Sequence, residues 1–321
     1  MKARHQAPFD PSALRLGKDL RRQGIDPTAS DWHRIRRGVW LPTTGWASLG
    51  IDDRYRALVF ATLLACTKPL KGVVAAHSAA ALWGMPSIEP WPKHTYLLDS
   101  DGRSGSSEHI RMIHGPACNA MTRQGVPVTP PARTVIDLAR YATLDTALAA
   151  ADYCLRTQLC SRESLAAEVA SVPRGARGRS KAGLVVDLTD GRSDSAGESL
   201  SRLQMFRGNF PRPTLQREFR DAQGLIGYTD FDWGGLIGEF DGKVKYRVPD
   251  DATAKEASDI VWREKQREDR LRRQKKDVAR WVWATARSTE ELAKLLIYHG
   301  LKPEPQSTWI DLGRSTPPPR R

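Results

Sequence analysis

The chain has 321 residues, of which 40% are hydrophobic and 10 are tryptophans, so it can bury sizeable cores and is not disordered throughout. Its 50 basic and 37 acidic side chains give a formal net charge of +13. Residues 1–50 hold nine basic against four acidic side chains and residues 251–321 hold sixteen against eleven, whereas the stretch between them is nearly neutral. Two separate basic ends predict two surfaces for a polyanion.

The sequence contains no stretch that predicts a membrane span or a secretory signal. The longest apolar run, residues 57–66, is about half as long as the roughly 20 residues that a helix needs to cross a bilayer. The N-terminus carries charges but no apolar segment of the kind that a signal peptide has. Four cysteines without a CxxC pair are too few for a disulfide framework. We therefore expect a cytoplasmic protein with no membrane partner.

In chain order, residues 1–50 predict a winged helix-turn-helix. Residues 12–24 are expected to form a short helix, and the capping pattern from Thr28 to Asp31 is expected to open a second helix that ends at Gly38. A short strand and a turn follow, which completes the order of helix, turn, helix and β-ribbon that this motif has. The second helix presents the candidate DNA-contacting residues, for which a solvated basic face is the alternative: Arg34, Arg36 and Arg37.

Residues 51–172 predict a mixed α/β region whose role the sequence does not define. The expected elements are helices at 53–67, 73–84, 132–142, 144–158 and 161–172, and strands at 94–99 and 109–115, which a Gly/Ser turn joins. The seven histidines show no metal-ligand spacing, and His77 on an Ala-rich helical face is expected to pack in the core. Residues 173–193 are expected to form a basic linker, whose Gly/Arg-rich part, 173–183, either touches nucleic acid or is simply a solvated loop or helix.

Residues 194–300 have the sharper pattern α-β-β-β-α-β-α. The expected elements are a helix at 196–209, strands at 215–221, 225–233 and 235–246, a charged helix at 255–277, a strand at 279–285 and a helix at 288–300. This order predicts a mixed sheet with helices on both faces, so the fold class of the chain is expected to be α/β, or α+β overall. Residues 301–321 are a Pro/Arg tail that is expected to be disordered.

Four acidic residues of this region stand at strand positions where packing alone would not place a carboxylate. Asp230 and Asp232 lie mid-strand, and Glu239 and Asp241 interrupt the apolar run of the next strand. Burying an ionised carboxylate is costly unless a partner compensates its charge. Since adjacent strands lie about 4.8 Å apart, Asp230 and Glu239 are expected to share a hard cation such as Mg²⁺, which activates water for attack on a phosphate. Lys243 is expected to orient that water or to hold developing charge, and a salt-bridged sheet end is the alternative.

The spacing Asp230-x8-Glu239-x-Asp241-Gly-Lys243, followed by a basic helix, resembles the PD-(D/E)XK restriction-endonuclease-like superfamily. Within it, the pattern is most similar to an uncharacterised group related to very-short-patch mismatch repair endonucleases. The resemblance covers residues 194–300. It implies a restriction-endonuclease-like domain that hydrolyses phosphodiester bonds with Mg²⁺ or Mn²⁺.

The resemblance also assigns roles to single residues. It implies Asp230 and Glu239 as metal ligands, assisted by Glu198, which matches the acidic residue on the helix before the sheet. Asp241 and Lys243 complete the candidate catalytic set. Asp241 stands where the simple pattern has lysine, so either Lys243 is a migrated substitute or the metal chemistry is altered or lost. The helix that follows supplies candidate phosphate contacts, with a solvated, salt-bridged face as the alternative: Arg267, Arg270 and Arg273.

A second resemblance concerns the N-terminal half of the chain. The stretches RIRRGVWLP, AAHSAAALWG and PARTVIDLAR, within residues 10–160, are similar to AbiEi-type antitoxins and transcriptional regulators of actinobacteria. This likeness implies promoter binding and a cognate toxin as a partner.

Two hypotheses of function follow from these patterns. In the first, the protein binds DNA through its N-terminal region and cleaves it with a metal-dependent endodeoxyribonuclease domain. In the alternative, it is an AbiEi-type antitoxin or transcriptional regulator whose nuclease-like fold is a non-catalytic scaffold. RNA as the substrate is a weaker third interpretation, and the sequence defines neither the target site nor the oligomeric state.

Overall fold

The structure is a computed structural model of the chain. It describes residues 9–66, 72–102, 104–242, 262, 266, 269–271, 273–274 and 277–310. The chain divides into two compact units: unit 1 spans Met1–Ala150 and Gln158–Val186, and unit 2 spans Ala151–Thr157 and Asp187–Arg321. Each unit combines helices with β-sheet, so the expected α+β class is confirmed.

Unit 1 begins with a small antiparallel sheet whose central strand is β3. Its elements are, in chain order, β1 (Arg15–Leu16), α1 (Gly17–Arg22), β2 (Trp32–Arg36), β3 (Val39–Pro42) and α2 (Thr43–Ser48). The strand order is β1-β3-β2. Leu20, Val39 and Leu41 are buried here and supply the apolar contacts that hold the short elements together.

The helix predicted to end at Gly38 is wrong, because residues 30–38 lead into and form part of the β2–β3 hairpin. The Thr28 hydroxyl and backbone N–H donate to the Asp26 carboxylate at 2.8 and 2.9 Å, so this polar cluster closes a local turn instead of capping a helix. Gly38 takes the left-handed conformation (φ 81°) that the tight turn after β2 requires. Residues 9–50 therefore contain the β2–β3 hairpin where the second helix of the winged motif was predicted.

A mixed five-stranded sheet forms the rest of unit 1, in the order β6-β5-β4-β8-β7. Its strands are β4 (Val73–Val74), β5 (Thr95–Asp99), β6 (Ile110–His114), β7 (Met121–Arg123) and β8 (Val126–Val128). The helices of this stretch of chain are α3 (Ile51–Ala65), α4 (Ala76–Trp83), α5 (Pro131–Tyr141), α6 (Leu144–Arg156), α7 (Arg162–Ser171) and α8 (Arg179–Leu188). The ladders β5·β6 and β4·β8 are parallel, and β4·β5 and β7·β8 are antiparallel.

Three predictions for this stretch are corrected and the others hold. The helices expected between residues 132 and 172 are confirmed, with ends that move by at most two residues. The helix expected from residue 73 is preceded by strand β4, and the two strands expected to be joined as a hairpin are parallel neighbours, β5 and β6. The predicted linker at 173–193 contains α8, because Ala182 and Val185, three residues apart, bury one helical face.

Unit 2 is built on a four-stranded mixed sheet in the order β12-β11-β10-β9. Its elements are α9 (Ala196–Arg207), β9 (Thr214–Asp221), β10 (Gly224–Asp232), β11 (Leu236–Phe240), β12 (Asp277–Trp281), α10 (Trp283–Ala286) and α11 (Thr289–Tyr298). β9, β10 and β11 are antiparallel neighbours, and β11 and β12 are parallel. A parallel pair needs a crossover, and residues 262, 266, 269–271 and 273 are helical, as the predicted helix at 255–277 requires. Most of that predicted helix lies outside the described residues.

Helices cover both faces of the unit 2 sheet. Gly197 of α9 lies so close to Phe240 that a Cβ on this glycine would stand 2.0 Å from the phenyl ring. On the other face Leu271, one of the helical residues between β11 and β12, is buried with Phe219 and Ile237. Ile237 and Phe240 alternate along β11, which places the two contacts on opposite sides of the sheet.

The end of unit 2 differs from the prediction in two places. The strand expected to reach residue 285 ends at Trp281, and Trp283 begins α10. The tail expected to be disordered has a defined path over residues 301–310, since Trp309 is buried and its Nε1 donates to the Phe210 carbonyl at 2.7 Å. Within the described ranges, no helix is long and apolar enough to cross a bilayer.

Candidate nucleic-acid interface and carboxylate cluster

The β2–β3 hairpin of unit 1 presents two exposed arginines. Arg37 lies in the turn, and the Arg34 guanidinium lies 6.0 Å from the centroid of the Trp40 ring. Both Arg15 on β1 and Arg34 on β2 are paired in register with Trp40 on β3. Because residues paired across a sheet share a face, the side chains of Arg15, Trp40 and Arg34 form one row. We call these three residues and Arg37 the basic hairpin.

Arg36 has a different environment from the two exposed arginines. Its Nε donates to the Thr62 hydroxyl at 3.0 Å, and its Nη2 donates to the Lys93 carbonyl at 2.6 Å. Partial burial lowers the pKa of Arg36, and the negative charge of Glu108 opposes that change. Arg36 therefore anchors the hairpin on α3 and on the chain before β5, while Arg34 and Arg37 stay open to solvent.

Helix α1 adds basic side chains that the motif analysis did not single out. Lys18, Arg21 and Arg22 are exposed, and Arg22 pairs with Asp19 at 3.3 Å on the helix surface. Only the positive charge balance of residues 1–50 pointed to them. They increase the positive potential of the sheet region beside the basic hairpin.

The carboxylate cluster of unit 2 consists of Asp230, Asp232, Glu239 and Asp241. Asp230 is buried at 6% exposure, and its Oδ2 accepts a hydrogen bond from the Phe240 backbone N–H at 2.8 Å. This bond joins β10 to β11 at the positions where the sequence predicted a shared cation. Asp232, at 3% exposure, instead forms an ion pair with Arg217 of β9.

The other two carboxylates of the cluster lie on or just after β11. Glu239 is paired with Arg280 of β12 in the parallel ladder, and the Arg280 Nη2 lies 3.0 Å from its Oε2. Asp241 donates its backbone N–H to the Trp281 carbonyl at 2.7 Å. Its Oδ1 is buried and has no hydrogen-bond partner among the described residues.

As arranged, the cluster does not fit a metal ion held by three carboxylates. In the part of the chain that the structure describes, no group of three or more His, Cys, Asp or Glu side chains is placed to hold a metal ion. Arg217 and Arg280 compensate two of the carboxylates, and a backbone N–H binds a third. The Mg²⁺ or Mn²⁺ requirement stays a prediction. Lys243, the predicted basic member of the set, lies outside the described residues.

Glu198 lies at the start of α9 and is buried at 2% exposure. Its Oε1 accepts from the Ser195 hydroxyl at 2.8 Å, and its Oε2 accepts from the Asp194 backbone N–H at 2.8 Å and from Gln216 Nε2 at 3.2 Å. Ser195 in turn accepts from the Glu198 N–H, so the two residues cap the helix reciprocally. These contacts give Glu198 a capping role, and its predicted role as a metal ligand stays a prediction.

Of the arginines of unit 2 that were predicted to contact phosphate, one is held in an ion pair and one is exposed to solvent. Arg270 forms a two-point ion pair with Asp221, through its Nε at 2.8 Å and its Nη2 at 2.5 Å, and this pairing lowers the pKa of Asp221 to about 2. Arg273 is exposed. Arg267 lies outside the described residues.

The sequence analysis missed a buried ion pair in the PARTVIDLAR stretch of α5. Arg133 Nε donates to Asp137 Oδ1 at 3.0 Å, and both side chains are at most 5% exposed. Burial raises the pKa of Asp137 to about 6, although Arg133 opposes the rise. The i, i+4 spacing of opposite charges was the available signal. His77 is buried as expected and burial lowers its pKa to about 4, but its Nδ1 has no hydrogen-bond partner among the described residues.

One stretch of the chain, most of which lies in unit 1, is similar to a known family. Residues 73–188 match the family described as the AbiEi antitoxin C-terminal domain. The matched span runs from the start of β4 to the end of α8. The predicted AbiEi likeness is thereby confirmed for this part of the chain.

Two curated relatives are uncharacterized proteins of Mycobacterium tuberculosis, MT2308 from strain CDC 1551 / Oshkosh and Rv2248 from strain H37Rv. Each is 33% identical over 157 residues, which are 49% of this chain and 56% of the relative, so the chain spans about half the length of these relatives. Among solved structures, the RV2827C protein from Mycobacterium tuberculosis aligns over 59% of this chain and 75% of its own, with 14% identity. Its TM-score is 0.35, which is too low to support an argument.

Proposed function

We propose that the protein is a cytoplasmic, DNA-binding regulator of the AbiEi antitoxin type. The observation that carries this proposal is the family match over residues 73–188. The proposal takes up the alternative interpretation of the sequence, in which the carboxylates of unit 2 belong to a scaffold. DNA is the proposed ligand and a cognate toxin the proposed protein partner.

The basic hairpin supports the DNA part of the proposal. Arg34 and Arg37 are exposed on the β2–β3 hairpin, and β2 is an edge strand of its three-stranded sheet. The major groove of duplex DNA admits a pair of β-strands. Arg36 ties the ribbon to α3 through Thr62, so the two exposed guanidinium groups project from a fixed base. Guanidinium groups held in place form directional, charge-assisted hydrogen bonds to phosphate oxygens. We propose that Arg34 and Arg37 contact the DNA backbone or base edges.

The ion pairs of unit 2 support the scaffold interpretation. Glu239 and Asp232, two members of the carboxylate cluster, are bound by Arg280 and Arg217 from neighbouring strands. A buried carboxylate that is paired with arginine joins two strands, and the pair has no need of a metal ion to balance its charge. In this proposal the cluster stabilises the edges of the sheet and does not take part in chemistry.

A mobility-shift titration on the duplex upstream of the protein's own coding sequence tests DNA binding. We expect selective binding over a scrambled duplex, and about tenfold weaker binding by the Arg34→Ala/Arg37→Ala double variant because two phosphate or base contacts are lost. Arg123→Ala is the matched control, since Arg123 is exposed on β7, in the other sheet of unit 1. Equal affinity for every duplex, or a double variant that binds like the wild type, contradicts the proposal.

Growth rescue tests the proposed toxin partner. The proteins encoded next to this chain are expressed one at a time from an inducible promoter, with and without the chain. We expect one neighbour to arrest growth and co-expression to restore it. The Asp230→Asn/Glu239→Gln double variant, which keeps the size and an acceptor oxygen of each side chain but removes their charges, is expected to restore growth as well as the wild type, because the proposed role requires no metal chemistry at those positions. Failure of every neighbour to arrest growth counts against the antitoxin assignment.

Metal-dependent phosphodiester hydrolysis is a second candidate function, which one observation favours. Asp241 Oδ1 is buried without a hydrogen-bond partner among the described residues, a state that a bound cation would relieve. For this function Glu239 has to release Arg280. Incubation with supercoiled plasmid and Mg²⁺ or Mn²⁺ is the test. Nicking that is lost in the Asp230→Ala/Glu239→Ala double variant establishes it, and absence of nicking, or equal nicking by both proteins, removes it.

A further inference from the structure

A second group of basic side chains lies at one edge of the five-stranded sheet of unit 1. Tyr96 on β5 is paired in register with Arg111 on the edge strand β6. Just before these strands, the Thr95 N–H donates to the His109 carbonyl at 2.9 Å, which extends the pairing toward His94 and His109. Residues paired across a sheet share a face. Tyr96 and Arg111 therefore share one face, and His94 and His109 stand at the bends just before the two strands, where His109 and Arg111 lie close enough to act on the pKa of His94. We call these four residues the His–Arg patch.

This face of the sheet changes from apolar to basic along the strands. At the carboxyl ends, Leu98 and Ile113 are buried in a cluster with Ala75 and Ala76. Tyr96 stands at the border of that cluster, partly buried, with its ring 4.9 Å from the ring of His77. Toward the amino ends the face opens, and Arg111 is exposed. The patch thus lies where this core surface opens to solvent at the start of the two strands.

The patch gathers like charges with little compensation. The pKa of His94 is lowered, first by partial burial and then by the positive charges of Arg111, Arg36 and His109, so these groups lie close enough to repel one another. Among the described residues, Glu108 is the acidic side chain whose charge acts on Arg36. Arg111 is the permanently charged member of the patch; it is exposed and forms no ion pair with any acidic side chain among the described residues. An exposed guanidinium group without an acidic partner favours a bound anion.

The chain around the patch is held in place by hydrogen bonds to neighbouring elements. The Tyr55 hydroxyl of α3 donates to the His94 carbonyl at 2.9 Å, and the Tyr96 N–H donates to the Ser78 hydroxyl of α4 at 2.9 Å. Arg36, which follows Arg34 in the basic hairpin strand, donates to the Lys93 carbonyl at 2.6 Å. Through Arg36 the patch adjoins β2, so the two basic surfaces are neighbours within unit 1.

We infer that the His–Arg patch binds the phosphate backbone of a DNA duplex next to the segment held by the basic hairpin. Arg111 supplies the guanidinium group for a phosphate, His94 and His109 supply ring N–H donors, and the Tyr96 ring forms an apolar floor beneath the backbone. The inference rests on the proposed DNA binding and adds a second contact to it. A surface that carries arginine and histidine beside an aromatic ring is suited to a nucleic-acid backbone, because phosphates require donors and sugars accept apolar contact.

Fluorescence anisotropy with the duplex from upstream of the protein's own coding sequence, measured over a series of salt concentrations, tests the inference. We expect Arg111→Ala to weaken binding about fivefold at low salt and to reduce the slope of log K against log salt by about one. Arg111→Lys keeps the charge and is expected to retain that slope. Arg123→Ala, on the opposite edge strand of the same sheet, is expected to behave like the wild type.

The outcomes separate this inference from the proposed function. If Arg34→Ala/Arg37→Ala weakens binding while Arg111→Ala binds with wild-type affinity and slope, the patch does not contact DNA and the proposed function stands. If the wild type binds no duplex, the result contradicts both the proposed DNA binding and the inference about the His–Arg patch. Equal weakening by Arg111→Ala and Arg123→Ala shows a general charge effect and also overturns the inference. Circular dichroism melts confirm that each variant is folded, and Arg111→Lys supplies the decisive comparison where Arg111→Ala is unstable.

Discussion

Truncating Arg202 in α9 is expected to destabilise unit 2 strongly. The Arg202 and Asp152 side chains are 2% and 0% exposed, and the Arg202 Nη1 lies 2.8 Å from the Asp152 Oδ2. Arg202→Ala leaves the buried carboxylate with the Asp190 backbone N–H at 2.7 Å and the Ser199 hydroxyl as donors. Removing one partner of a buried ion pair costs about 3–5 kcal/mol, because the remaining charge is left in a poorly solvated site.

The loss of stability in Arg202→Ala should increase as pH rises. Burial raises the pKa of Asp152, and Arg202 opposes the rise. Without Arg202, the pKa of this carboxyl in the folded state rises further above its value in the unfolded chain. Stability from such a group is fully present below the unfolded-state pKa and is lost as pH rises through the folded-state value. The deficit of Arg202→Ala should therefore grow between about pH 5 and about pH 8.

Guanidinium unfolding followed by tryptophan fluorescence and circular dichroism measures the free energy of unfolding at both pH values. Arg207→Ala is the matched control, because Arg207 is exposed on the same helix and its truncation should change stability by less than about 0.5 kcal/mol. Replacing both partners, Arg202→Met with Asp152→Leu, should recover most of the loss. A loss below about 1 kcal/mol at both pH values, or one equal to that of the control, refutes the reasoning.

Three further predictions concern other polar contacts. Since burial raises the pKa of Asp137 to about 6, its contribution to stability is present below its ordinary pKa and is lost as pH rises through about 6; Asp137→Asn should flatten that pH dependence in thermal melts. Glu198→Ala removes the Glu198 side of the reciprocal cap of α9, while Ser195 still accepts from the backbone N–H of residue 198; it should lower the free energy of unfolding by about 1–2 kcal/mol in denaturant titrations, with Glu198→Gln intermediate. Arg280→Ala leaves Glu239 without its guanidinium partner; it should lower the melting temperature and leave DNA affinity in mobility shifts unchanged.

Local sequence patterns predicted those parts of the fold that local contacts determine. The helices between residues 132 and 172 have periodic apolar residues between clear breakers, and the first three strands of unit 2 are separated by short turns that contain glycine or aspartate. The β2 strand was missed because the polar residues before it suit a helix cap and a turn equally well. The hydrogen bonds from Thr28 to the Asp26 carboxylate, which the structure shows, stabilise the turn and not a helix cap.

The pairing of the carboxylates could not be predicted, because it depends on strand register. The sequence correctly places Asp230 on one strand and Glu239 on the next, and it shows that their charges need compensation. It does not show that the parallel ladder between β11 and β12 puts Arg280 opposite Glu239. The partner lies 41 residues further along the chain, so neither spacing nor periodicity could identify it.

The parallel pairing of β11 with β12 also sets the order in which unit 2 folds. β9 and β10 are joined by a short turn and meet at once, whereas Leu236 and Asp277 can pair only after the chain between them has closed a long loop. By chain statistics that closure costs about 3 kcal/mol of entropy. β11 is therefore an open sheet edge until β12 arrives, with its backbone N–H and C=O groups unpaired on that side. During synthesis we expect this edge to be open to pairing with another chain until β12 arrives and places Arg280 beside Glu239.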